Sequence, residues 1–273
     1  MKKRMTIMKY TETNKQAWEH AFDNRKEGFG DKDFAKLENN PLAFLDDTIM
    51  GELSKINFKG KSVAHFCCNT GRELLSLMSL GAERGVGFDI AENIIAQARE
   101  TTTKAEISSC EFVACDILKI PDKYHNQFDV ILITIGAICW FEDLTLFFNK
   151  VAKCLKPSGI VMLYEIHPFE NMLPMPSDDE FDENNLNRFT FSYFRNDPWI
   201  ENHGMTYMTG LTESKTFTSF SHTMGSIINS MVVNDLYVTS LNEYDEAVSG
   251  MTDLYDGKGF PLSFVMTAEK RSK

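Results

Sequence analysis

Asp89 and Asp116 each close a short apolar run, and both come after a turn of small residues, Cys67-Cys-Asn-Thr-Gly71. A carboxylate at the end of a buried strand can accept both hydroxyls of a ribose, or a hydrogen bond from an exocyclic amino group. Asp89 stands 18 residues after Gly71, which suits the first role, and Asp116 suits the second. As capping residues, Asp89 would instead open the following helix and Asp116 the turn at Ile117. The small-residue turn joins an apolar strand to a helix, and free N–H groups at a helix N-terminus point at a ligand. Further on, Thr134-Ile-Gly136 closes a fourth apolar run and Glu165-Ile-His167 a fifth. His167 or Glu165 could act as a general base, and Trp140 offers an aromatic face to a cation. Tyr10 and His222 are more distant candidates. His167 could equally be a satisfied structural histidine, and Trp140 could simply begin a packed helix.

These residues work together only if one scaffold brings them to one edge. From Lys61 the chain alternates regularly, with strands expected at 62–68, 86–90, 111–115, 128–135 and 160–166. Helices are expected at 72–80, 91–101 and 144–155. Strands that are apolar throughout, alternating with amphipathic helices, predict a doubly wound α/β fold with a mostly parallel sheet. Ligands of such sheets bind beyond the carboxyl ends of the strands. Before this core, Thr13-Asn-Lys-Gln16 has capping-box spacing, and Ala17, Trp18, Ala21 and Phe22 share one helical face. That helix either packs or lies over a ligand as a lid, and a second helix is expected at 46–56.

After Pro168 the chain becomes acidic, aromatic and irregular, and its alternation predicts short antiparallel strands at 189–194 and 216–220. A helix at 224–233 and strands at 236–241 and 262–268 return to the sheet as an antiparallel edge pair. Four parts result: an N-terminal helical extension (1–57), a Rossmann-like core (58–167), a β-rich insertion capping the acceptor side (168–222) and a C-terminal completion (223–273).

With 43% hydrophobic and 12% aromatic residues, the 273-residue chain can fill a large core. No apolar run approaches the roughly 20 residues that span a bilayer. The opening Met1-Lys-Lys-Arg-Met-Thr6 has no apolar stretch behind it, so it does not read as a signal peptide. Six cysteines lie mostly inside apolar runs, which suits reduced thiols in the cytoplasm. No Cys/His cluster has metal-ligand spacing. Cys67-Cys68 reads as small residues packing a turn, since adjacent cysteines bridge only with strain. A net charge of −11 opposes binding to a phosphate backbone, so a small molecule is the better partner.

In order and spacing, five segments resemble the motifs of class I S-adenosylmethionine-dependent methyltransferases. They are His65-Phe-Cys-Cys-Asn-Thr-Gly71, Gly85-Val-Gly-Phe-Asp89, Cys110-Glu-Phe-Val-Ala-Cys-Asp116, Phe128-Asp-Val-Ile-Leu-Ile-Thr134 and Leu155-Lys-Pro-Ser-Gly159. The resemblance covers about 58–167 and implies S-adenosyl-L-methionine as cofactor. It implies that the loop residues His65, Phe66, Cys67, Asn69 and Gly71 hold the methionyl part. It places Asp89, beside Ile90, on the ribose, Asp116 and Ile117 on the adenine, and Thr134 and Ile135 on the methyl-donor side.

The family's common first loop is acidic-x-Gly-x-Gly-x-Gly; here His65 replaces the acid, and Cys67 and Asn69 replace two glycines. Asn tolerates positive φ, and Cys is small. A bacterial branch with a His-x-x-Cys-x-x-Gly loop and an Asn-x-x-Ala-Trp opening helix is similar, through Asn14-Lys-Gln-Ala-Trp18. The expected activity is methyl transfer to a small-molecule acceptor by in-line displacement, with no mandatory catalytic residue. Nucleobase amino-methylases carry Asp/Asn-Pro-Pro-aromatic where this chain has Thr134-Ile-Gly-Ala137, and cytosine C5 enzymes carry Pro-Cys where Cys139 follows Ile138. A non-catalytic cofactor-binding protein is the alternative. A nicotinamide-dependent oxidoreductase would need Gly-x-Gly-x-x-Gly, which Cys67-Cys-Asn-Thr-Gly-Arg72 lacks. The expected partners exclude nucleic acid and membrane, and no oligomeric state follows from these residues.

Overall fold

The computed structural model describes residues 2–27, 30, 32–176, 178–186, 188–202, 205–250 and 252–271, with side chains from residue 10 onward except Thr206. Met1, and Ser177, Asn187, His203 and Gly204 of the expected insertion, lie outside the described residues. Three helices come first: α1 (Lys2–Asp23), α2 (Asp33–Asn39) and α3 (Asp47–Leu53). Then β1 (Ser62–Phe66), α4 (Arg72–Met78), β2 (Arg84–Asp89), α5 (Glu92–Lys104), β3 (Cys110–Ala114), β4 (Phe128–Ile133), α6 (Leu144–Cys154) and β5 (Leu155–Ile166) alternate. A two-stranded ribbon of β6 (Trp199–Glu201) and β7 (Phe217–Ser219) follows, with α7 (Thr206–Thr209) between its strands. The chain closes with α8 (Met224–Val232), β8 (Leu236–Tyr244) and β9 (Ser263–Lys270).

The main sheet has the order β3-β2-β1-β4-β5-β9-β8. Its pairings from β3 through β5 are parallel, whereas β9 runs antiparallel to both β5 and β8. Side chains alternate across a strand, so each strand serves both faces. Ala64, Phe66, Ile131 and Ile133 pack towards α6 and α8, while Val63, Val130 and Leu132 pack towards α3, α4 and α5. Burying both faces explains why these strands read as continuous apolar runs. Strand order reverses between β1 and β4, so a crevice opens there at the carboxyl edge.

Several boundaries differ from the sequence reading for physical reasons. α1 is already helical at Lys2, so Thr13 is interior and not an N-cap; its hydroxyl donates to the Tyr10 carbonyl (2.9 Å). The second expected helix is shorter, because Asp46 caps it through the Ile49 N–H and α3 ends at Leu53. α2 had no clear periodic signal. β1 stops at Phe66 because Cys67 turns to φ 56°. β5 starts at Leu155, and Lys156-Pro-Ser-Gly159 forms an irregularity between the pairs Phe128–Leu155 and Val130–Ile160, with Ser158 at φ 58°. Residues 189–194 are not a strand. Phe189 packs on Phe169 and Phe260, Phe191 on Trp199, and the Tyr193 hydroxyl accepts the Met224 N–H, so their alternation reflects separate packing sites. The partner of β7 is β6.

Candidate functional site

The loop after β1 has an unusual backbone. Cys67, Asn69 and Gly71 all have positive φ, at 56°, 47° and 76°. An L-residue held there costs roughly 1–2 kcal/mol, so the fold must hold the loop from outside. Cys68 N–H donates to the Phe88 carbonyl (2.9 Å), Asn69 N–H to Asp89 Oδ2 (2.9 Å), and Gly71 N–H to the Cys68 carbonyl (2.8 Å). Asn69 Oδ1 also accepts the Thr70 N–H (2.8 Å). Gly71 is required for space as well: a Cβ there would stand 2.2 Å from the Phe112 ring.

Asp89 joins this loop to the next one, since its Oδ1 accepts the Ala91 N–H (3.1 Å). Burial raises its pKa, and the backbone N–H bonds pull it back down. The Ile90 N–H also bonds this carboxylate, and of its roughly four acceptor positions not all are taken by the backbone. Asp116 is a capping residue that also lines the cavity. It caps the 3-10 turn Ile117–Lys119 through Leu118 N–H (2.9 Å), pairs with Lys119 at 3.1 Å, and faces the same cavity as Asp89.

At the end of β4, Thr134 faces the cavity, and its Oγ1 lies 2.8 Å from His65 Nε2. His65 is buried, and burial lowers its pKa to about 4, which keeps the ring neutral. Glu165, at 2% exposure, gathers the loop that follows. Its carboxylate accepts the N–H groups of Gly136, Ala137 (2.8 Å), Ile138 (3.1 Å) and Ile166 (2.9 Å). A carboxylate has about four acceptor positions, so Glu165 has none to spare for a substrate proton. Burial nonetheless raises its pKa, against those four bonds.

Aromatic residues build the opposite wall. Trp18, Trp140 and Phe217 meet with ring centroids 5.6–5.7 Å apart. Asn14 on α1 fixes the ribbon: its side-chain amide donates to the Thr218 carbonyl and accepts the Thr218 N–H, each at 2.8 Å. The side chain thus imitates a neighbouring strand. The space enclosed is about 880 Å³, near the upper end for small-molecule pockets.

Cys67, Asn69, Asp89, Ile90, Asp116, Ile117, Thr134, Ile135, Trp140 and Glu165 are brought together around this one cavity. His65, Phe66 and Gly71 are not among its lining residues. His167 does not line it either: Nε2 meets Glu243 on β8 (2.9 Å) and Nδ1 accepts the Phe169 N–H (3.1 Å), so both nitrogens are used. Tyr10 is buried against Phe220, its hydroxyl accepting the Glu142 N–H (3.3 Å). His222 lines the cavity and contacts the Phe141 carbonyl at 3.0 Å.

Sequence reasoning missed the far end of the cavity. There Arg72 pairs with Glu73 (3.0 Å) and lies over Phe44, with Asp33 and Tyr207 nearby. Arg72 opens the helix after the small-residue turn, a position that could have been read as pocket-facing. The six cysteines are free thiols, and burial pushes Cys67 well above its ordinary value, so it is an inert wall residue. Among the described residues, no three His, Cys, Asp or Glu side chains group as a metal site, and no helix is long and apolar enough to cross a membrane.

Comparison with known proteins agrees with this geometry. Residues 57–210 match the methyltransferase domain family. An uncharacterized protein of Haemophilus influenzae is 26% identical over 156 residues, and the match covers 53% of this chain and 60% of that protein. The demethylmenaquinone methyltransferase of Shouchella clausii is 28% identical over 108 residues, 39% of this chain and 45% of that enzyme. The chain therefore spans less than two thirds of these curated relatives. A provisionally assigned S-adenosylmethionine-dependent methyltransferase from Listeria monocytogenes has the same fold. Its TM-score is 0.63 at 19% identity, covering 81% of this chain and 97% of that one.

Proposed function

This chain belongs to the methyltransferase domain family, and we propose that it binds S-adenosyl-L-methionine and methylates a small-molecule acceptor beneath the 168–222 cap. The observation that carries the reading is Asp89. Its carboxylate closes β2, the neighbour of β1, is held by the backbone N–H groups of Asn69, Ile90 and Ala91, and lines the cavity. A carboxylate held there fits the vicinal hydroxyls of a ribose. Ile90 and Ile117 offer apolar faces to an adenine, with Asp116 at its polar edge. Bound cofactor supplies a methyl group on a sulfonium, whose departure leaves a neutral thioether.

The chain's own contribution is position. Orienting acceptor and donor can be worth roughly 7–11 kcal/mol. Glu165 fixes residues 136–138, and so shapes the donor side without exchanging a proton itself. Trp18, Trp140 and Phe217 close that side, exclude water and offer π faces to a cation. Among the described residues, His222 is the histidine that lines the cavity, and burial lowers its pKa, so it stands neutral near pH 7.

The acceptor's chemistry follows from the lining. Eight acidic residues and one basic residue, Arg72, line the described cavity. With Arg72 already paired to Glu73, a polyanion such as nucleic acid is a poor fit, and a neutral or basic small molecule a good one. The name of the Shouchella relative points the same way. Residues 1–57 serve as the lid, 58–167 as the cofactor core and 223–273 as its completion. The loop His65–Gly71, together with the grip of Asn14 on β7, supports placement in the bacterial His-x-x-Cys-x-x-Gly branch.

Calorimetry with S-adenosylmethionine, S-adenosylhomocysteine and NADH tests the reading. Binding of the first two and not the third is expected, with binding abolished in a folded Asp89→Ala variant. Unchanged affinity in that variant would sink the ribose assignment.

A further inference from the structure

We infer that His65 is a positioning residue: its Nε2–H holds the Thr134 oxygen as an acceptor, so the Thr134 hydroxyl donates into the cavity, to the carboxylate of the methionyl group. The inference rests on the S-adenosylmethionine reading above.

One ring nitrogen of His65 is an orphan. His65 is 1% exposed, its Nε2 lies 2.8 Å from Thr134 Oγ1, and its Nδ1 is buried with no partner. A neutral imidazole carries one N–H and one lone pair. Were the hydrogen on Nδ1, it would be an unpaired buried N–H, the rarest kind of unsatisfied group. With the hydrogen on Nε2, the hydrogen bond is made, and only a ring lone pair goes without a partner.

That choice fixes Thr134. Its oxygen accepts from His65, so its own hydrogen must point elsewhere, and no acceptor among the described residues takes it. Thr134 lines the cavity, so that hydrogen is offered to whatever is bound. A hydroxyl whose hydrogen is free to donate suits a carboxylate better than an ammonium, which can only donate. Glu73 and Arg72 act on His65 with opposite signs, Glu73 the more strongly, so the preference rests on the hydroxyl donor and not on a net local charge. An acid at position 65, as in the common loop, would favour the ammonium. His65 with Thr134 reverses that polarity.

Two measurements test this. Long-range 1H–15N spectra of the protein distinguish imidazole tautomers, with His65→Gln identifying the signal. The Nε2–H form is expected, and an Nδ1–H form overturns the inference. Calorimetry then compares S-adenosylhomocysteine with S-adenosyl-3-thiopropylamine, the same molecule without its carboxylate. Thr134→Val should weaken the first by about tenfold, as loss of a bond to a charged group does, and leave the second within about twofold. Thr134→Ser should restore it. Equal losses for the two ligands, or no loss for either, overturn the inference. If the wild-type protein binds neither ligand, the cofactor reading itself fails, and the tautomer result still decides the role of His65.

Discussion

Replacing Gly71 by alanine separates the backbone demands of the loop from the packing behind it. Gly71 has φ 76°, where an L-residue costs roughly 1–2 kcal/mol. The added methyl would also meet the Phe112 ring at 2.2 Å. Phe112 is 4% exposed and packs among Cys68, Leu74 and Ile95, so the ring has little room to swing away. Overpacking of this kind typically costs about 1–3 kcal/mol. Gly71→Ala should therefore lose about 2–5 kcal/mol of stability, read by urea denaturation at fixed pH. Phe112→Leu shortens the obstructing side chain, so a double-mutant cycle should recover the packing part, about 1–3 kcal/mol, and leave the strain. A cycle with no coupling would show that the methyl does not meet that ring. A loss below about 1 kcal/mol in the single variant would refute both parts of the reasoning.

Two further outcomes follow from buried carboxylates. Glu165→Gln turns one acceptor oxygen into a donor, leaving two buried N–H groups without partners at about 1–3 kcal/mol each. Melting temperature and cofactor affinity should fall together; a variant of normal stability that loses only turnover would instead mark Glu165 as a base. Glu170 is 3% exposed, with Oε2 unpartnered, and burial first and then Glu165, Asp253 and Asp256 raise its pKa from 4.5 to about 7. The folded state thus holds this proton more tightly than the unfolded chain. Its stabilisation is complete below about pH 4.5 and is lost as pH rises through about 7. The loss amounts to about 3 kcal/mol at 1.36 kcal/mol per pH unit. Glu170→Gln should flatten the stability profile between about pH 5 and 8, and an unaltered slope would refute the assignment.

The core was legible because its signals are local. Parallel strands buried on both faces must be apolar along their length, and the first polar residue beyond each marks the carboxyl edge. Asp89, Asp116 and Thr134 were found in that way. The anchoring of the 168–222 segment was not, because its contacts are distant: Asn14 pairs with Thr218 across 204 positions, and nothing near either residue announces it. The aromatic alternation at 189–194 imitated a strand while each ring filled a different site. His167 looked available in sequence because Glu243, which occupies it, lies 76 positions away.

The loop itself shows why a departure from a familiar pattern need not be a loss. Two of the three positions with positive φ carry side chains, so the backbone path persists where the glycines do not. Roughly 1–2 kcal/mol of strain at each of Cys67 and Asn69 has to be offset by neighbours. The visible offset is the pair of bonds from Cys68 N–H to Phe88 and from Asn69 N–H to Asp89. Asp89 therefore holds the loop in shape with the same carboxylate that faces the ligand. Glycine in the common loop would relieve the strain and make that restraint less necessary. On the proposed ribose assignment, ligand binding and loop conformation are coupled through one side chain, so a bound nucleoside should also protect the Asn69 amide from hydrogen exchange.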